Sequence, residues 1–156
     1  MKKAQKGFSL IELLIVVAII LIIAAIAIPN LLRSKMAANE SSAVGSMRTI
    51  NTASVTYSTT YGGYPPALTN LSPAATATST SADLIDSVLA AGTKSGYKFT
   101  YTAASADSNG NYQKYTIAAA PTSQGTTGQR GFFTDQSGVI RADPTGTATV
   151  NSTPIS

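Results

Sequence analysis

Cysteine, histidine and tryptophan are all absent from the 156 residues, and only 12% of the chain is charged. Without cysteine no disulfide can staple the fold, and thiols say nothing about the redox compartment. Without histidine, His-containing triads and the commonest zinc ligand are excluded. No glycine-rich loop precedes a helix in a phosphate-binding arrangement, and no serine stands in a nucleophile elbow. With so few groups able to act together as nucleophile and base, neither enzymatic activity nor a cofactor is expected. The length suits one domain of ordinary size with an additional anchoring segment.

What charge there is lies unevenly. A net charge of +4 and a pI near 9.4 suggest a binder of nucleic acid or of a membrane surface. Lys2, Lys3 and Lys6, however, all precede Gly7, and beyond Gly7 eight basic side chains face seven acidic ones. The basic bias belongs to the first seven residues. The remainder offers no basic patch, so no specific nucleic-acid partner is expected.

Long apolar runs are present in one place only. Residues 13–28 are sixteen apolar side chains without a break, and Phe8–Ile28 holds only Ser9 and Glu12 as polar members. As a helix these 21 residues reach roughly 31 Å, the thickness of a bilayer's hydrocarbon. The lysines ahead of the run favour a cytoplasmic N-terminus, with the rest of the chain across the membrane. A secretory signal cut near Ala25-Ile26-Ala27 and a plain membrane anchor are the competing readings. Neither explains Glu12, because a carboxylate in an apolar span is costly and calls for a partner.

The string Lys6-Gly7-Phe8-Ser9-Leu10-Ile11-Glu12, followed by the apolar run and Pro29, resembles the class III signal of type IV prepilins and pseudopilins. The resemblance is strict over about 30 residues. It implies cleavage after Gly7 by a prepilin peptidase, N-methylation of the new terminal Phe8, and an assembly carboxylate at the fifth mature position, Glu12. It also implies a helix-perturbing proline, here Pro29, and storage in the inner membrane with the leader in the cytoplasm. Partners implied are further copies of the chain in a helical filament, the peptidase, an inner-membrane assembly platform, and lipid before assembly.

The physical logic of Glu12 follows from that cut. Cleavage creates a cationic α-amino group on Phe8, with an ordinary pKa near 8. Glu12 can neutralise it within one subunit or, in the family reading, on the neighbouring subunit. Removing one partner of a buried ion pair costs about 3–5 kcal/mol, so the pair would set the axial register of the filament.

Beyond the apolar run a kink or local melting is expected at Pro29, which lacks the donor for the Ala25 carbonyl. Val44, Met47, Ile50, Ser54, Tyr57 and Tyr61 then recur at three- and four-residue steps, making one mostly apolar stripe. Arg48, Asn51 and Thr59 lie off it. The expected organisation is a leader (1–7), a helix over 8–61 with a transmembrane and polymerising part (8–28) and an amphipathic part (29–61), and a globular domain over 62–156. Gly62-Gly63 and Tyr64-Pro65-Pro66 stop the helix.

Residues 67–82 read as a loop with little apolar content. Asp83–Ala91 reads as a short helix capped by Ser81 and stopped by Gly92. Tyr97, Phe99 and Tyr101 alternate as a strand, followed by a second over 112–117 with Asn109-Gly110 as the turn. Residues 132–134 and 139–141 read as a second hairpin around Asp135–Gly138. Residues 143–156 read as a polar, mobile tail. The fold class is α+β: a long N-terminal helix, apolar then amphipathic, against an antiparallel sheet of three or four strands, the pilin-like layout.

Metal sites are not expected. Asp107-Ser108-Asn109-Gly110-Asn111 superficially matches a calcium loop but lacks the spacing of an EF-hand, and reads as a hairpin turn. Asp135 and Asp143 flank the other hairpin, in a region where some pseudopilins are thought to hold calcium; Asp135 reads as a turn opener. Asp83 and Asp86 read as first-turn acids of the short helix. The seven Tyr and four Phe residues read mainly as core. The expected function is a structural subunit of a type IV pilus, major or minor. Tyr61-Gly62-Gly63-Tyr64-Pro65 resembles the stretch after the helix in major pseudopilins of type II secretion, although the absence of Trp departs from many of those proteins. A minor tip pilin for adhesion or DNA uptake is the other alternative.

Overall fold

In the computed structural model residues 7–155 are described, and six of the seven leader residues expected above lie outside them. The chain divides into two units, Met1–Lys35 and Met36–Ser156. One helix, α1 (Leu10–Tyr61), contributes to both.

In the first unit the helix begins at Leu10, two residues later than expected, because Ser9 occupies the cap position. The Ser9 carbonyl accepts the first helical bond from the Leu13 N–H at 3.2 Å. Nearly every side chain from Phe8 to Lys35 is exposed. The apolar run makes α1 long and apolar enough to cross a membrane. The helix continues through Pro29 without interruption, so the local melting expected there is not found. One missing N–H removes a single bond, and the turns on either side retain theirs.

The second unit is built on the rest of α1, where Ala43, Met47, Ile50, Ala53 and Tyr57 form a buried stripe at helical spacing. Against it lies a six-stranded antiparallel meander in sequence order: β1 (Thr93–Lys94), β2 (Tyr97–Ala106), β3 (Tyr112–Pro121), β4 (Gly131–Asp135), β5 (Arg141–Asp143) and β6 (Thr153–Pro154). Tyr97 and Phe99 of β2, Tyr115 and Ile117 of β3 and Phe132 of β4 alternate inward and close the core. The register is tight: Thr100 faces Ala118, and Ile117 faces Thr134.

Helix α1 ends where expected. Gly62 sits at φ +82° and donates its N–H to the Ser58 carbonyl at 3.0 Å, a left-handed cap that a side chain would strain. Four expectations need correction. The sheet has six strands, since β1 and β6 are two-residue strands too short to show alternation. Residues 67–82 are anchored: Leu68 and Leu71 of a short 3-10 turn and Ala82 are buried, and the Tyr57 hydroxyl donates to the Ser79 carbonyl at 2.7 Å.

The short helix α2 is only Ser87–Ala90, and its cap is Asp86, whose carboxylate accepts from the Leu89 N–H at 2.9 Å. Ser81 bonds Ser72 instead, and Asp83 lies outside the helix at φ +53°. Finally, the 143–156 segment is folded back. Ala148 and Ser152 are buried, and β6 pairs with β5. Short polar segments carry little apolar signal, so their docking is decided by backbone bonds invisible in composition.

Candidate functional site

The Gly7–Glu12 junction combines access with a fixed charge. Gly7 is exposed and has open space where a side chain would stand, and Phe8 is 81% exposed. Gly7 and Phe8 precede the Ser9 cap, so their backbone is not locked in helical hydrogen bonds. A protease needs that kind of reachable, non-helical chain. Three residues on, the Glu12 carboxylate turns back and accepts the Ser9 N–H at 2.9 Å. This is half of a capping box, and Ser9-x-x-Glu12 spells that motif; the sequence signal was there to be read. The carboxylate also lies in the first turn, where the helix dipole favours negative charge. Glu12 is the one ionisable residue between Phe8 and Leu32.

The second unit contains a polar clamp that the sequence reading missed. Glu40 of α1 is buried, yet its carboxylate is fully engaged. It accepts from the backbone N–H groups of Gln129 at 2.9 Å and Arg130 at 3.1 Å, and from the Arg130 Nε at 2.8 Å. Burial alone would push its pKa up; the Gln129 and Arg130 backbone bonds and the Arg130 guanidinium outweigh that and hold it below the ordinary value. The guanidinium in turn lies 5.5 Å over the Phe132 ring.

One residue earlier, the Asn39 amide donates to the Thr127 carbonyl at 2.8 Å. Further along α1, Asn51 donates to Thr134 and accepts from the Tyr115 hydroxyl. These polar groups set the helix against the β3–β4 loop and the sheet. A signal existed, since Glu40 lies one heptad before Met47 on the apolar stripe, where an unpaired carboxylate would be costly.

Tyr97 completes this corner. Its hydroxyl donates to the Arg130 carbonyl at 2.8 Å, and its pKa is pushed up to about 12, by burial first and by the Glu40 charge second. Any Cβ at Gly128 would collide with that hydroxyl, so the loop requires glycine there.

The remaining carboxylates singled out from sequence are turned onto their own loops. Asp107 accepts from the N–H groups of Asn109 and Asn111, Asp135 from that of Ser137, and Asp143 from that of Thr145. Among the described residues no three Asp or Glu side chains converge as a metal site would need. Gly7, Phe8 and Glu12 lie together at the start of α1, whereas Pro29 lies farther along the same helix.

The Prokaryotic N-terminal methylation motif matches residues 2–28. The type IV wide pilus major component PilA4 of Thermus thermophilus is 66% identical over 35 residues, which are 22% of this chain and 27% of that protein. The type IV major fimbrial protein FimA of Dichelobacter nodosus is 56% identical over 52 residues, 31% of this chain and 33% of its own. The chain therefore matches between 27% and 33% of the length of these relatives. No solved structure matches the chain.

Proposed function

We propose that this chain, which belongs to the type IV pilin-like family, is a structural, non-catalytic subunit of a type IV pilus. In this reading it is cut after Gly7 and methylated on Phe8. It waits in the inner membrane through residues 8–28, with the leader in the cytoplasm and residues 62–156 on the far side, and polymerises through its N-terminal helix into an extracellular filament. The peptidase, the inner-membrane assembly platform and other copies of the chain are its partners.

The observation that carries this reading is Glu12, the lone carboxylate in an exposed apolar helix, held at the helix start beside the bond to be cut. In the precursor it caps Ser9. After cleavage a cationic amine arises four residues away, and a carboxylate entering a packed helical core is tolerated only when paired. Bending at Pro29 would let neighbouring helices pack through the point where their apolar stretch ends. Naming of the relatives as major pilus and fimbrial components favours the pilus over the pseudopilin of a secretion system.

The test compares Glu12→Ala and Glu12→Gln with wild type at matched subunit level, with sheared filaments measured by immunoblot and electron microscopy. Cleavage proceeds in both variants, and filament yield falls about tenfold or more, as expected for an uncompensated buried charge. Normal yield from Glu12→Ala would overturn the assembly role.

A further inference from the structure

The outer edge of β2 is open over most of its length. This ten-residue strand meets β1 only at Tyr97 and Lys98, and the Phe99 N–H then reaches the Gly92 carbonyl at 2.8 Å. Backbone groups of an antiparallel strand alternate between its two neighbours. Since the Phe99 N–H points to the outer edge, the backbone groups of Tyr101 and Ala103 do too, while those of Thr100, Thr102 and Ala104 face Ala118, Thr116 and Lys114 of β3. Among the described residues the Tyr101 and Ala103 N–H groups have no acceptor. Ser105, at φ +56° and missing from the β3 register, ends the extended run.

Edges of this kind are ordinarily guarded by a charge, a proline or a covering element. The opposite edge of the sheet carries Pro154. Thr100-Tyr101-Thr102-Ala103-Ala104 carries neither charge nor proline, and Thr100, Thr102 and Ala104 are exposed. Charge is placed instead at its two ends, of opposite sign: exposed Lys98 before it and exposed Asp107 after it.

We propose that this edge pairs with the same edge of a second copy of the chain, antiparallel about Thr102. A two-fold there sets the lysine end of one copy against the aspartate end of the other, whereas a parallel arrangement would align like charges. Tyr101 of each copy exchanges hydrogen bonds with Ala103 of the other, satisfying all four open amides. Thr102 faces its own counterpart, a favourable cross-strand pair. The contact is isologous and closed. It goes beyond polymerisation through the helix and requires neither Phe8 nor Glu12.

The absence of cysteine makes the test clean, since any disulfide in a single-Cys variant joins two molecules. Thr102→Cys in the full chain in detergent is expected to give about tenfold more disulfide dimer than Ser137→Cys, because residues facing across a non-hydrogen-bonded pair are within bridging distance. Adding Ala103→Pro removes one outward donor without touching the β3 ladder, so dimer yield falls to the control level while the thermal transition is kept. The dimer persists in a Glu12→Ala background. A Thr102→Cys yield no higher than that of Ser137→Cys would overturn the proposal, as would a dimer that survives Ala103→Pro. Loss of the dimer with Glu12→Ala would overturn its independence from helix polymerisation.

Discussion

The two units of this chain use the same helix in opposite ways. Through Ile28 the side chains of α1 are apolar and nearly all exposed, and a single carboxylate, Glu12, breaks the pattern. From residue 36 onward one stripe is buried, and polar groups on and beside it, Asn39, Glu40 and Asn51, reach across to loops and strands. A helix apolar all round specifies no particular neighbour, so its register rests on whatever charge it carries. A helix with one buried stripe gains its address from shape, and its polar contacts sharpen that address. In the proposed reading the carboxylate of α1 in the first unit, Glu12, is an assembly device; in the second unit Glu40 is an intramolecular latch.

The contrast can be broken most severely at Gly7. Gly7→Leu puts a branched side chain beside the proposed cut, and the precursor is expected to accumulate at full length with no mature subunit in intact-mass spectra. Mature protein starting at Phe8 from this variant would overturn the requirement for glycine at position 7. Next in size is Glu40→Ala, which leaves two backbone donors and a guanidinium without their acceptor. A loss of about 3 kcal/mol is expected in thermal unfolding of the full chain in detergent, with no loss of leader cleavage.

Glu40 also sets an acid limit. Its folded pKa lies below the ordinary 4.5, so its stabilisation is complete above that value and fades as pH falls through the folded pKa. Glu40→Gln is expected to flatten the loss of stability below about pH 4.5. An unchanged acid limb would place the sensitivity elsewhere.

Tyr97 sets the alkaline counterpart. The fold favours its neutral phenol, so its contribution is full below the ordinary 10.0 and lost as pH rises towards about 12. Tyr97→Phe costs about 1 kcal/mol through the lost bond to the Arg130 carbonyl, and it makes unfolding less steep in that window. The smallest effect is expected at Asp86→Ala, where loss of the α2 cap costs roughly 0.5–1 kcal/mol in the second unit.

Legibility from sequence followed the strength of local signals. The apolar run, the stripe from Met47 to Tyr57, the Gly62 stop and the alternation of Tyr97, Phe99 and Tyr101 are periodic or compositional, and the structure retains them all. Asn109-Gly110 predicted its turn, although the loop spans residues 107–111 between Ala106 and Tyr112 because Asp107 caps it. The 67–82 and 143–156 segments were misread for the opposite reason. Their apolar anchors, Leu68, Leu71 and Ala148, are too few to stand out among Ser, Thr and Ala.

The sequence by itself determined the helix, its change of character from apolar to amphipathic, and the Gly7-Phe8-Glu12 constellation, because each is written within a few turns of chain. Only the tertiary structure decided that Glu40 meets Arg130, that β5 and β6 close the sheet, and that the edge of β2 stays open. Those outcomes depend on pairings between residues as much as 90 positions apart. Local propensity carries no record of such distant partners; they follow from where backbone donors and acceptors fall once the core has closed.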